Sequence, residues 1–350
     1  MGATAAGDII ADFVQPPART LSARAGNVLQ VLRAQVAVYP RTPVQVVDVP
    51  VEGRLRRIRL KLEGGSPFGA VKGRTSIGLL ASLAGRIAED TRLVESTSGN
   101  LGVAVAALCQ RLDIPFTAVV DDRLPVVMAR AMRSSGADLI VVNHRRADGD
   151  RLAARIRTVW NMTAADSRWL SPNQYDNPAN PRIHEIWTGP EFLWQVPTAQ
   201  AIFVGASTGG TLAGCARATR ATGRDVKVVG VDVEGSRVFG GAAGPRFLTG
   251  IGASRISPHV NREMCDEVEM VSSWAAVVQC RDWKRTTGVG LGGSSGAVLA
   301  AALRHLAVHP DLTDIACLCP DLGDNYTNTI YNDRWVAERG SSMIEQEQAG

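Results

Sequence analysis

Phe68-Gly69-Ala70-Val71-Lys72-Gly73-Arg74 stands where one hydrophobic rhythm gives way to another. Before it, Leu55 to Leu62 alternates apolar and basic residues with the period of a strand. After it, Ile77, Leu80, Leu83, Ala84 and Ile87 recur with the period of a helix. A strand running through a small-residue turn into a helix is the repeating unit of an α/β fold, and the same change of rhythm returns along the chain.

Upstream, Arg24 to Ala37 reads as a helix, and Val44 to Val49 pairs with Leu55 to Leu62 around a turn at Glu52-Gly53. Downstream come strand Arg92 to Glu95, helix Leu101 to Arg111, strand Phe116 to Val120, helix Pro125 to Ser134, strand Asp138 to Val142 and helix Asp150 to Trp160. A second series holds strand Ala201 to Val204, helix Thr211 to Thr219, strand Val226 to Asp232, helix Gly296 to Leu306 and strand Ile315 to Cys319. Strands separated by helices imply crossovers, hence parallel sheets in two doubly wound α/β domains. The proline-spaced Ser171 to Pro181 is the natural passage between them. Residues 50–180 are assigned to a smaller domain and 21–49 plus 181–340 to a larger one; residues 1–20, broken by Pro16 and Pro17, read as a loosely held arm.

With 350 residues, 45% of them hydrophobic and 21% charged, the chain is globular and long enough for two cores. It carries no apolar run of membrane-spanning length, and Met1 to Val14 has no basic residue, which argues against a signal peptide; the expected location is the cytoplasm. The net charge of +4 is small, and the basic cluster Arg54, Arg56, Arg57, Arg59 and Lys61 has the alternation of a strand with one solvated face. Neither nucleic acid nor membrane is expected as a partner. The six cysteines are scattered, only Cys317 and Cys319 are close, and no second ligand pair accompanies them, so they read as reduced thiols and no metal site is assigned.

Ligands of doubly wound sheets gather at the carboxyl ends of strands, where the small-residue loops lie. In Val204 to Leu212 an apolar strand meets Gly205, Ser207, Thr208, Gly209, Gly210 and Thr211 before an alanine-rich helix. Glycines let an anion approach the backbone, N–H groups at the helix start point at it, and hydroxyls complete its hydrogen bonds. The loop lacks the Gly-Lys-Ser/Thr ending of a nucleoside-triphosphate site, so a phosphate monoester suits it better. Ser96-Thr97-Ser98-Gly99-Asn100 has the same shape and reads either as a carboxylate cradle or as a plain capped turn. Gly293-Ser294-Ser295-Gly296 offers neutral hydroxyls at another helix start. Gly288, Gly290 and Gly293 spell a dinucleotide motif without the acidic residue that should follow it. Lys72 alone reads as an exposed lysine at a helix start; among Phe68, Gly69, Ala70 and Val71 it is poorly solvated, which lowers its pKa and favours imine formation. His144 and His184 read as surface or packing residues.

Taken in order, these segments resemble the cysteine synthase group of fold type II pyridoxal-phosphate enzymes over residues 40–335. The likeness rests on Lys61-Leu62-Glu63, Gly69 to Arg74, Thr97 to Asn100, Asn173-Gln174-Tyr175-Asp176-Asn177-Pro178-Ala179-Asn180-Pro181, Ser207 to Thr211, Gly250-Ile251-Gly252 and Gly293 to Gly296. Two stretches depart from the pattern: Ser66-Pro67-Phe68-Gly69-Ala70 replaces Asn-Pro-Gly-Gly-Ser, and Lys72-Gly73-Arg74 replaces Lys-Asp-Arg.

The resemblance implies two doubly wound domains with the active site between them and pyridoxal 5'-phosphate as cofactor. Lys72 would carry the cofactor as an imine and act as catalytic base. Ser207, Thr208, Gly209, Gly210 and Thr211 would hold the phosphate, Asn100 the phenolic oxygen, and Ser294 would face the ring nitrogen. Thr97, Ser98 and Gln174 would grip the substrate α-carboxylate. The implied reaction is β-replacement on an O-activated L-serine through an α-aminoacrylate, in a homodimer acting on small amino acids. Leu101, Val119-Val120-Asp121, Gly235-Ser236 and Asp333-Arg334-Trp335 narrow the likeness to a branch that joins O-phospho-L-serine to the amine of L-glutamate on the way to 2,3-diaminopropionate. Sulfide or thiosulfate as nucleophile, giving cysteine or S-sulfocysteine, is the alternative. Arg237, Arg246 and Arg255 flank Gly250 to Gly252 and read as clamps for a phosphate leaving group or as surface charges.

Overall fold

Residues 6–14, 21–97, 99–142 and 150–349 are described by the structure, a computed structural model. The helices in chain order are α1 (Ala6–Ala11), α2 (Ala23–Ala37), α3 (Lys72–Leu83), α4 (Asn100–Leu112), α5 (Val126–Ser134), α6 (Arg151–Ala165), α7 (Ala179–Ile183), α8 (Gly189–Gln195), α9 (Gly210–Ala221), α10 (Ser273–Thr287), α11 (Gly293–Val308) and α12 (Asp333–Ala349). The strands are β1 (Val44–Val51), β2 (Arg54–Leu62), β3 (Arg92–Ser96), β4 (Phe116–Asp121), β5 (Asp138–Val142), β6 (Trp169–Leu170), β7 (Ala201–Gly205), β8 (Lys227–Val233), β9 (Glu267–Val271) and β10 (Asp314–Cys319).

The chain divides into two compact units, residues 1–40 with 72–183, and 41–71 with 184–350. The first holds a parallel sheet in the order β5-β4-β3-β6. Every residue of β4 is buried, as a strand covered on both faces requires, and this is why Phe116 to Val120 is apolar except for Thr117. The second holds six strands in the order β1-β2-β10-β7-β8-β9, parallel except for the β1–β2 hairpin. That hairpin closes through Glu52 and Gly53 with φ of 46° and 71°, the left-handed pair that tight hairpin turns use.

The boundaries differ from those expected, for packing reasons. Helix α2 packs on α3 and α4 and so belongs to the first unit, whereas β1 and β2 join the second because β2 pairs with β10. The N-terminal segment expected to be loose contains α1, which packs on α2, buries Ile9 and Ile10, and is followed by an Asp12–Arg182 ion pair of 2.6 Å. Residues 1–5 and 15–20 of that segment lie outside the described residues.

The basic strand is also corrected. Arg54, Arg57 and Leu55 are exposed on β2, but Arg56 and Lys61 are buried. Lys61 Nζ donates to Thr42 Oγ1 at 2.7 Å, Glu191 Oε1 at 2.7 Å and Gln195 Oε1 at 2.6 Å, with Glu63 at 3.5 Å. A charge that deep is tolerable only because carboxylates and hydrogen bonds surround it. All six cysteines are outside disulfides and buried. Among the described residues no helix is long and apolar enough to cross a membrane.

Candidate active site

Lys72 opens α3 and the first unit's second segment. The residues just before it are pinned: Ala70 bridges to Asp321, and the Val71 N–H donates to the Pro320 carbonyl at 2.8 Å. Some of the lysine's surface stays accessible, yet burial draws its ammonium down to about 8 against the opposing field of Glu95. A helix start, with its positive dipole end, favours the same neutral amine. Glu95 lies near the end of β3 and is buried; its Oε2 accepts from the Asn173 N–H at 2.7 Å and from Ser171 Oγ at 3.1 Å. Burial pushes it up to about 7, opposed by those hydrogen bonds and by Arg155. One unit therefore holds an amine and a carboxyl group that both titrate near neutrality, a pairing typical of catalytic sites.

The loop after β3 is built around Thr97, which is buried, its Oγ1 accepting from the N–H groups of Gly102 at 2.9 Å and Gly99 at 3.4 Å. Thr97 thus braces the start of α4, a task its expected substrate contact did not include. Asn100 is the first residue of that helix and is partly exposed. Gln174 Nε2 donates to the Ser96 carbonyl at 2.9 Å, and Asn180 Nδ2 donates to the Gln174 carbonyl at 2.7 Å. Lys72, Thr97, Asn100 and Gln174 all belong to the first unit. Ser98 lies outside the described residues.

In the second unit, β7 runs through Ala206 to Gly209 into α9, whose first turn has no side-chain cap. Gly209 adopts φ +89°, and a Cβ there would lie 2.5 Å from Ser257 Oγ, so only glycine fits. The loop is tied down by Ser207 Oγ donating to the Gly252 carbonyl at 3.1 Å, the Gly252 N–H donating to Ala206 at 2.8 Å, and Ser257 Oγ donating to Thr208 at 2.7 Å. Gly250, at the other end of this segment, lies beside Ser294 Oγ and Tyr326 Oη. The anion loop, Gly250 to Gly252 and Ser294 are therefore contiguous. Arg237 is exposed and its backbone N–H donates to the Ala253 carbonyl at 2.8 Å. Arg246 is partly buried; its charge lowers the titration of Asp232, which burial raises to about 6.

Three further residues complete this half. Asp321 is buried, accepting from Tyr326 Oη at 2.6 Å and from Ser294 Oγ at 3.4 Å, so a carboxylate stands behind the hydroxyl that the sequence offers as neutral. His184, expected at the surface or in packing, is fully buried and shares hydrogen bonds with Thr188 Oγ1 at 2.8 Å and Thr211 Oγ1 at 3.4 Å, supporting the anion loop. Asp321 carries a signal in its place just beyond an apolar parallel strand, and His184 in its one-turn spacing from Thr188. His144 lies outside the described residues.

The chain as a whole is similar to known proteins. The family described as pyridoxal-phosphate dependent enzyme matches residues 38–321. The chain belongs to this family. It is 36% identical over 304 residues to N-(2-amino-2-carboxyethyl)-L-glutamate synthase of Ralstonia nicotianae, spanning 86% of this chain and 90% of that one. It is 36% identical over 285 residues to the enzyme of the same name from Cupriavidus metallidurans, spanning 79% and 83%. Among solved structures it resembles the O-acetylserine dependent cystathionine beta-synthase of Helicobacter pylori, with a TM-score of 0.76 and 26% identity over 90% of this chain and 100% of that one. The fold is type II, and the protein is a pyridoxal-phosphate dependent enzyme of the β-replacing, cysteine synthase-like kind.

The residues present fit pyridoxal phosphate. An uncapped helix start behind a loop of hydroxyls and glycines matches a phosphate monoester, and an amine drawn down to about 8 matches an aldehyde.

Proposed function

We propose that this enzyme replaces the β-substituent of an O-activated L-serine, O-phospho-L-serine in preference to O-acetyl-L-serine, by the amine of an amino acid such as L-glutamate, giving a precursor of 2,3-diaminopropionate. Two relatives at 36% identity carry the name of such a synthase, which supports the reading. The structural observation that carries it is Lys72, a lysine whose titration point of about 8 suits it to serve as both nucleophile and base.

When bound, pyridoxal phosphate supplies the electron sink that acidifies the substrate Cα–H and lets the β-substituent depart. Lys72 Nζ takes that Cα proton and returns one to the same carbon. Ser207 to Thr211 would hold the phosphate ester, Ser294, whose hydroxyl donates to Asp321, would serve the ring nitrogen, and Asn100 would serve the phenolic oxygen. Thr97, Ser98 and Gln174 orient the α-carboxylate. Arg237 and Arg246 bind the departing phosphate, which as a dianion needs a cationic clamp.

Purified enzyme incubated with O-phospho-L-serine and L-glutamate is expected to give the amine adduct, identified by mass, and Lys72→Ala is expected to give none. Cysteine or S-sulfocysteine from sulfide or thiosulfate, with no amine adduct, would replace this reading by the sulfur one. We also propose a homodimer in the cytoplasm; sedimentation equilibrium should return twice the chain mass of 37.2 kDa.

A further inference from the structure

Strand β9 and the end of α11 bring together Glu267, Glu269, His305 and His309, none of which belongs to the catalytic set. His305 and His309 are one helical turn apart, their rings stacked with centroids 4.0 Å apart and planes 28° from parallel. Glu267 Oε2 lies 3.7 Å from His305 Nδ1 and 3.8 Å from His309 Nε2, while Glu269 Oε1 lies 3.1 Å from His305 Nδ1. One ligating atom from each of Glu267, His305 and His309 falls within 4.8 Å of the others. Around a tetrahedral zinc with bonds of ~2.0–2.1 Å, neighbouring ligand atoms stand roughly 3.4 Å apart, so small side-chain rotations close the shell.

His305 is the residue that calls for an explanation. It is completely buried, meets the ring of Phe203 edge-on with centroids 5.3 Å apart, and its Nε2 has no hydrogen-bond partner among the described residues. An apolar side chain of similar volume would fill that place without leaving a polar atom unpaired. What the imidazole adds is Nδ1, aimed at two carboxylates. Those carboxylates are held from outside, Glu269 by Arg304 and Glu267 by Lys227 at 3.6 Å, which fixes their oxygens toward the histidines.

We infer that Glu267, His305 and His309 form a site for one divalent transition-metal ion of the zinc class, with water completing the shell. The ion takes the place of the proton that His305 Nδ1 shares with Glu269. Two imidazoles with a carboxylate suit Zn²⁺, Co²⁺ or Ni²⁺ better than Mg²⁺ or Ca²⁺, which take oxygen shells. The ion clasps β9, an edge strand whose partner among the described residues is β8, to the end of α11.

The test is calorimetric titration of tag-free holoenzyme with Zn²⁺, repeated with Co²⁺ while following its visible absorption. One ion per chain, with the intense absorption of tetrahedral Co²⁺, is expected. His309→Ala and Glu267→Gln alter partly exposed positions, and each should weaken Zn²⁺ by at least about 10-fold while leaving metal-free thermal stability in place. Zn²⁺ should raise the melting temperature of the wild type and of neither variant. Unchanged affinity in either variant, or no stoichiometric binding up to about 1 mM Zn²⁺, overturns the site.

Discussion

An amine titrating at about 8 is half neutral at that pH, whereas an ordinary lysine near 10.4 is less than ~1% neutral. In cofactor-free protein, acylation of Lys72 followed by peptide mass analysis should therefore show a midpoint near pH 8; a midpoint near the ordinary lysine value of about 10.4 would remove the basis for Lys72 as base. Glu95 supplies a second expectation. Its folded titration point is raised from 4.5 to about 7, so its contribution to stability is greatest below the lower value and is lost as pH climbs through the upper one. Glu95→Gln does not titrate, so its stability relative to wild type should rise by up to roughly 3 kcal/mol between pH 4 and pH 8, read from denaturant midpoints. The same substitution removes the anion that raises Lys72 and should move the acylation midpoint down. Lys72 was legible because a lone lysine between a strand and a helix is conspicuous. Glu95 was not, since a carboxylate at a strand end says nothing until Asn173, 78 positions later, brings its N–H to 2.7 Å.

Elements buried on both faces announced themselves, and those at the margins did not. Strand β7 is a continuous apolar run and β4 a mostly apolar one, whereas β9 reads Glu-Val-Glu-Met-Val and lies at a sheet edge, and α10 mixes Arg281, Asp282, Lys284 and Arg285 into its length. Alternation misled on β2, where Lys61 occupies what looks like a solvated position and is in fact enclosed. Lys61→Met should cost about 3–5 kcal/mol in a denaturant titration, because Glu63 and Glu191 would lose the ammonium buried against them. A loss below ~1 kcal/mol would mean that the carboxylates do not depend on that ammonium, the Thr42 hydroxyl and N–H still donating to them.

At the scale of the molecule, the expected partition of site residues gives a measurable contrast. On the proposed assignment, inorganic phosphate should slow amide exchange around residues 206–212 in the second unit and leave the first unit unaffected. Pyridoxal phosphate, if joined to Lys72 as proposed, should slow exchange in both; protection confined to the second unit would dissociate Lys72 from the cofactor. Two sheets with crossover helices were legible in the alternation of periods. Their boundaries were not, because membership is decided by tertiary pairing such as β2 with β10.

That pairing bears on how the protein is made. The hairpin of residues 44–62 leaves the ribosome long before its inner neighbour, residues 314–319. Until they emerge, β2 exposes an unsatisfied edge, and β7 lacks the strand that joins it to the hairpin. The second unit is thus obliged to wait for residues 314–319 before its sheet is whole, and nascent chains stalled before residue 314 should be the aggregation-prone, chaperone-bound species.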